Sequence, residues 1–131
     1  MGIITRWDNR NSKTTVLMAF DSEWTFDELQ RAIEETDALI ASVSHRVDVI
    51  VDVEGSKLPK DFLNMAKALL ANPEPRANEG NRVIVGANNL IRQGYQLLQK
   101  TFGDKLNGRE VHFADDLDTA RAILRGLRET S

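Results

Sequence analysis

Residues 47–53 read Val47-Asp48-Val49-Ile50-Val51-Asp52-Val53, and the fold turns on this stretch. Side chains alternate along a strand, so the four valines share one face and Asp48, Ile50 and Asp52 share the other. β-branched residues suit a pleated, half-buried surface, so the segment reads as the central strand of a sheet.

The flanking segments then fall into place. Upstream, Thr25 and Glu28 have capping-box spacing, and Trp24 and Leu29 that of a hydrophobic staple. Phe26, Leu29, Ile33, Ile40 and Val43 recur at helical intervals, with Glu34, Glu35 and Asp37 on the wet side. Before this helix, Ile3–Trp7 and Thr14–Phe20 read as two strands. The turn Asp8-Asn9-Arg10-Asn11-Ser12 joins them as an antiparallel hairpin.

Downstream, Pro59 suits the first turn of a helix, where a missing N–H costs nothing. Phe62, Met65, Ala66 and Leu69 form its apolar stripe. Asn72–Asn81, with Pro73, Pro75 and Gly80, reads as a surface loop. Arg82–Gly86 reads as a strand. Asn88 or Asn89 caps a helix whose stripe is Ile91, Tyr95, Leu98 and Phe102, and Gly103 fits its left-handed end. Glu110–Phe113 reads as the last strand. Asp115 or Asp116 caps the last helix, with Leu117, Ala120, Leu124 and Leu127 inward. Strands that alternate with helices imply βαβ units and a parallel sheet. The expectation is one α/β domain over residues 1–131: an N-terminal hairpin then βαβαβα, a mostly parallel five-stranded sheet with about four helices.

Composition narrows the function. At 131 residues, a domain buries about two-thirds of the surface its unfolded chain exposes. The chain is 41% hydrophobic and 28% charged, ordinary for a globular domain. Its net charge of -3 argues against nucleic acid, whose binding draws on Lys and Arg at phosphates. It has no cysteine, which removes disulfides, thiol catalysis and thiolate metal sites, and favours a reducing compartment. Arg6, Asp8, Arg10 and Lys13 interrupt any apolar leader, and Arg6 stands where a myristoylation signal wants Ser or Thr. No apolar run is long enough for a transmembrane segment. The expectation is a cytoplasmic protein without cofactor or metal.

Parallel sheets bind ligands outside the carboxyl ends of their strands. Those ends are Glu54-Gly55-Ser56-Lys57, Ala87-Asn88-Asn89 and Ala114-Asp115-Asp116. Asp52 and Glu54 have the composition of an acid–base pair, but a strand-end cap or solvated rim is the preferred reading. His45 follows the first helix, where a cation is favourable. His112 lies in a strand, and the two histidines make no metal motif. Gly86-Ala87-Asn88-Asn89 lacks the glycine patterns of dinucleotide and P-loop sites. Arg121, Arg125 and Arg128 line one side of the last helix, read as a solvated basic face rather than a partner surface.

The element order, the Trp24-Thr25 helix entry, the Val49–Val53 strand, the Val83-Ile84-Val85-Gly86 strand and the closing Phe113-Ala114-Asp115-Asp116-Leu117-Asp118-Thr119-Ala120 together resemble the STAS domain (sulfate transporter and anti-sigma factor antagonist). The resemblance implies a non-enzymatic regulatory module that meets a kinase partner around the start of the second helix. The serine or threonine phosphorylated in that family has no counterpart here, where the segment is Lys60-Asp61-Phe62-Leu63; Asp61 echoes the acidic residue and Ser56 is the nearest hydroxyl. The resemblance also implies helices on one sheet face, against the valines. The opposite face, with Leu17, Ala19, Ile50, Ile84 and His112, would then be partly open.

The expected function is a protein-interaction module whose partner is another protein or a second copy of the chain. The alternative is a small-molecule or lipid carrier that uses the open sheet face. The expected contact surface is Glu54, Gly55, Ser56, Lys57, Lys60 and Asp61, with Asn88 and Asn89 beside it.

Overall fold

The computed structural model describes residues 2–54, 56–57, 78–86, 93, 96 and 111–130. Five strands form the main sheet: β1 (Ile3–Trp7), β2 (Thr15–Phe20), β4 (Val47–Asp52), β6 (Glu79–Val85) and β7 (Val111–Ala114). Their order across the sheet is β1-β2-β4-β6-β7. β1 is antiparallel to β2, and every other pairing is parallel. Two short strands, β3 (Ser22–Glu23) and β5 (Ser56–Lys57), pair in parallel as a separate ribbon. The helices are α1 (Phe26–Ala41) and α2 (Leu117–Thr130).

Two sequence expectations need correction here. The first is the count of about four helices in a βαβαβα order: two helices, α1 and α2, have their bounds among the described residues, together with the unexpected β3–β5 ribbon. The stripes at 62–69 and 91–102 raised that count. They lie outside the described residues, apart from Gln93, and Gln96, both helical.

The second correction concerns the faces. The valine face does meet a helix: α1 packs Leu29, Ala32 and Ile40 against Val16, Met18, Phe20, Val47 and Val49. The opposite face is not open. α2 lies on it, with Ala120 and Leu124 against Leu17, Ile50, Val83, Val85 and Ala114. Leu17 and Ile50 are almost wholly shielded from water, and each such side chain contributes roughly 1.5–3 kcal/mol on burial. Right-handed crossovers fix a helix that joins two parallel strands. α2 follows the last strand of the sheet, joins it to no further strand, and so escapes that rule. Ile84 also changes sides, since it pairs with Val51 and therefore shares the valine face.

α1 begins as its sequence predicts. The Thr25 side chain accepts from the Glu28 N–H at 3.2 Å. The Glu28 carboxylate does not complete the box at the Thr25 N–H. It accepts instead from the Gly2 N–H at 2.7 Å, which ties the start of β1 to the helix. Trp24 and Leu29 join one core cluster, and the Phe20 and Trp24 rings meet edge-on at 5.1 Å. The far end of α1 is held from a distance: Asn78 donates to the carbonyls of Ile40, Val43 and His45. β6 starts at Glu79, so the expected loop over Asn72–Asn81 ends in strand, and its residues 72–77 lie outside the described ones.

The β4–β6 ladder breaks at Asp48. Val47 pairs with Glu79 and Val49 with Arg82, so Gly80 and Asn81 bulge opposite Asp48. The buried Asp48 carboxylate repairs the break by accepting from the Asn81 N–H at 2.8 Å. Gly80 is required here, because the Asp48 carboxylate occupies the space a Cβ would take. Arg128 of α2 donates to the other Asp48 oxygen at 3.0 Å, to the Thr15 hydroxyl at 2.6 Å and to the Thr14 carbonyl at 3.1 Å. Asp48 is buried but the Arg128 side chain is 40% exposed, and Arg46 lies 3.8 Å from the same carboxylate, so losing the Arg128 guanidinium costs about 1–2 kcal/mol. Arg128→Met is therefore expected to lower the unfolding free energy in urea by about that amount, and a variant within about 0.5 kcal/mol of the parent excludes this role.

Candidate functional site

The rim at the carboxyl ends of β2 and β4 is more built than a loop. β2 continues through Asp21 into β3, and β4 continues through Val53 and Glu54 to β5. The register Ser22↔Ser56 and Glu23↔Lys57 then extends the β2–β4 pairing beyond the sheet. Glu54, Ser56 and Lys57 of the expected surface thus stand on or beside this ribbon. Gly55, Lys60, Asp61, Asn88 and Asn89 lie outside the described residues.

Local hydrogen bonds fix the approach to the ribbon. Asp52 Oδ1 accepts from the Glu54 N–H at 3.1 Å. The Ser56 hydroxyl donates to the Val53 carbonyl at 2.8 Å, and the Ser56 N–H to the same oxygen at 3.1 Å. Asp52 therefore shapes a turn, and Ser56 spends its hydroxyl inside one. Gly86 closes the rim from the β6 side. Its φ is +76°, and a Cβ there would lie 2.6 Å from Glu54 Cβ and 2.9 Å from Glu54 Cα. Its N–H donates to the Ala114 carbonyl at 3.0 Å. The sequence marks Gly86 only as the end of a strand without a phosphate-loop pattern; its tight approach to Glu54 ties two carboxyl ends together.

At the next carboxyl end, Asp116 is the helix cap, resolving the choice between Asp115 and Asp116. Its Oδ1 accepts from the Thr119 N–H at 2.7 Å. That backbone bond, with help from the Thr119 side chain, holds the Asp116 carboxyl below its ordinary value of 3.8.

The three arginines of α2 are exposed, as expected, and two of them also act as ties. Arg121 forks onto both carboxylate oxygens of Asp8, at 3.0 and 2.8 Å. This pairing raises its pKa, chiefly through the hydrogen bond to Asp8. Arg128 is occupied at Asp48, and Arg125 stays exposed. The histidines are not brought together. His45 Nε2 lies 2.8 Å from the Lys13 carbonyl beside the hairpin turn, whereas His112 sits in β7 at the far edge of the sheet. Among the described residues no three acidic, histidine or cysteine side chains cluster as metal ligands. Among them also, no helix is long and apolar enough to cross a membrane.

A groove of about 190 Å³ runs between β1 and α1, lined by Ile3, Ile4, Thr5, Glu28, Arg31, Ala32 and Glu35. Pockets for drug-sized ligands usually hold about 300–1,000 Å³. The sheet face expected to carry a lipid is occupied by α2.

No protein-family model matches the chain, and no curated protein is significantly similar to it. The architecture is a mixed α/β fold with a five-stranded sheet, broadly compatible with STAS-type folds.

Two measurements test this geometry. Gly86→Ala forces a Cβ onto Glu54 at positive φ and is expected to destabilise by about 1–3 kcal/mol, read as a lower urea midpoint. For Asp116 the folded-state pKa is depressed, so its stabilisation is complete above the ordinary aspartate value. That stabilisation is lost as pH falls through the lower folded value. Asp116→Asn keeps a capping oxygen but cannot titrate. Its melting temperature should gain on the parent's between about pH 5 and about pH 2, and parallel curves refute the cap's role in acid unfolding.

Proposed function

We propose that this chain is a non-enzymatic, regulatory protein-interaction module of the STAS type, with its working surface on the rim from Glu54 to Asp61. The observation that carries this reading is the β3–β5 ribbon. A strand-to-helix connection would ordinarily be a variable loop on a rigid scaffold. Here Ser22-Glu23 and Ser56-Lys57 are hydrogen-bonded together above the ends of β2 and β4. The rim therefore offers a partner fixed backbone with Glu23 and Glu54 exposed beside it. A preorganised surface loses less conformational freedom on binding than a loose one.

The resemblance to STAS domains supports the same place, since partners of that family meet the start of the second helix. Regulation through Ser56 is not part of the proposal, because that hydroxyl is already committed to Val53. The rim works through shape and charge.

Lys57→Glu combined with Lys60→Glu replaces the two lysines of the rim with carboxylates. Quantitative cross-linking in the host, with the chain as bait, is expected to show at least a tenfold loss of the parent's principal cross-linked partner. The melting temperature should stay within about 2 °C, as for surface changes remote from the core. Equal cross-linking by parent and variant removes the rim as the contact surface.

A further inference from the structure

β1 is an edge strand whose outer side has no strand partner among the described residues. Its inner ladder is defined by two bonds, Asp21 N–H to the Gly2 carbonyl and Asp8 N–H to the Thr15 carbonyl. Hydrogen-bonded pairs alternate in an antiparallel ladder, so Ile4 and Arg6 turn their main-chain groups toward β2. Ile3, Thr5 and Trp7 turn theirs outward. An open edge of this kind is a template for another strand.

Three features sit on that edge. Ile4 is a large apolar residue left 57% exposed. Thr5 Oγ1 is buried yet has no hydrogen-bond partner among the described residues. Thr5 also lines the groove between β1 and α1, beside Arg31 and between Glu28 and Glu35 along the helix.

We propose that β1 pairs with β1 of a second copy of this chain, antiparallel about a two-fold axis at Thr5, giving one continuous ten-stranded sheet. This register follows from the outward groups. Thr5 pairs with the partner's Thr5, and Ile3 with the partner's Trp7, so every outward N–H and carbonyl of the strand is used. The two Thr5 side chains then stand opposite one another, a recognised cross-strand pair. On the other face Ile4 lies across from the partner's Arg6 and packs on its aliphatic stem.

The neighbouring registers are worse. Centring on Arg6 sets two arginines opposite each other, and centring on Ile4 leaves the Trp7 groups unused. α1 packs over β1 and β2, so the two-fold also brings the two α1 helices together, antiparallel, above the joined edges. Arg31 then lies between the partner's Glu28 and Glu35. The apolar and charged pattern of this edge thus complements itself, and the occupant it fits is a second copy. This interface is separate from the rim and stands or falls without it.

Sedimentation equilibrium of the full chain tests the proposal. The parent is expected at twice its 14.7 kDa mass. Thr5→Pro removes one outward N–H and leaves the ladder to β2 intact, since proline is tolerated at an open edge. It should raise the dimer dissociation constant at least about tenfold with the far-ultraviolet circular dichroism retained. Two Ile4 variants test the register independently. Ile4→Lys, placed against the partner's Arg6, should dissociate the dimer, whereas Ile4→Glu in the same place should keep it. A monomeric parent at every concentration overturns the proposal. So does a dimer that Thr5→Pro and Ile4→Lys both leave intact, and an Ile4→Glu chain as monomeric as Ile4→Lys overturns the register.

Discussion

The Asp48 carboxylate is the constraint around which the sheet and its second helix are organised. It lies in the interior at the start of the central strand, a position that is costly for a charge unless each oxygen has a partner. One oxygen replaces a lost ladder bond at Asn81 and the other receives Arg128. From this follow the bulge in β6, the glycine at position 80, and the fixed position of the end of α2 over β2 and β4. The same guanidinium reaches Thr14 and Thr15, so a single side chain joins two strands to a helix. The arrangement ties α2 to the sheet through Arg128, while Arg46 lies 3.8 Å from the other carboxylate oxygen.

Much of the architecture was legible where a period or a cap carries it. The valine face of 47–53, the opening hairpin and the Thr25 cap all rest on neighbours within a few residues. What could not be read depends on distance. Asp48 and Arg128 are 80 positions apart, and Asn78 finds the end of α1 at 35 or more for two of its bonds. Nothing in either neighbourhood marks these side chains as partners. The face chosen by α2 was missed because a rule for helices between strands was applied to one that follows the last. The β3–β5 ribbon was missed because two residues are too few to show alternation.

The candidate rim was only partly legible. The rule that parallel sheets bind at their carboxyl ends located Glu54, Ser56 and Lys57, and the ribbon supplied a rigidity that composition could not. Gly86 illustrates the difference between a motif and a contact. Its sequence context lacks the repeated glycines of a phosphate loop. Its positive φ and its approach to Glu54 nevertheless give it a structural duty that no glycine pattern announces.

The two arginine ties of α2 also set an order of events in folding. Asp8 and Thr14 are 113 and 114 positions from the guanidiniums that hold them. Contacts of such long range close late and slow the search, because most of the chain must be in place before they form. On the ribosome, the hairpin, α1 and β4 emerge with Leu17 and Ile50 bare and Asp48 without its arginine. Ala120 and Leu124 reach Leu17 and Ile50 only when residues 117–130 arrive. Among the described residues, α2 is therefore the cover that turns an apolar sheet face from a hazard of synthesis into a core.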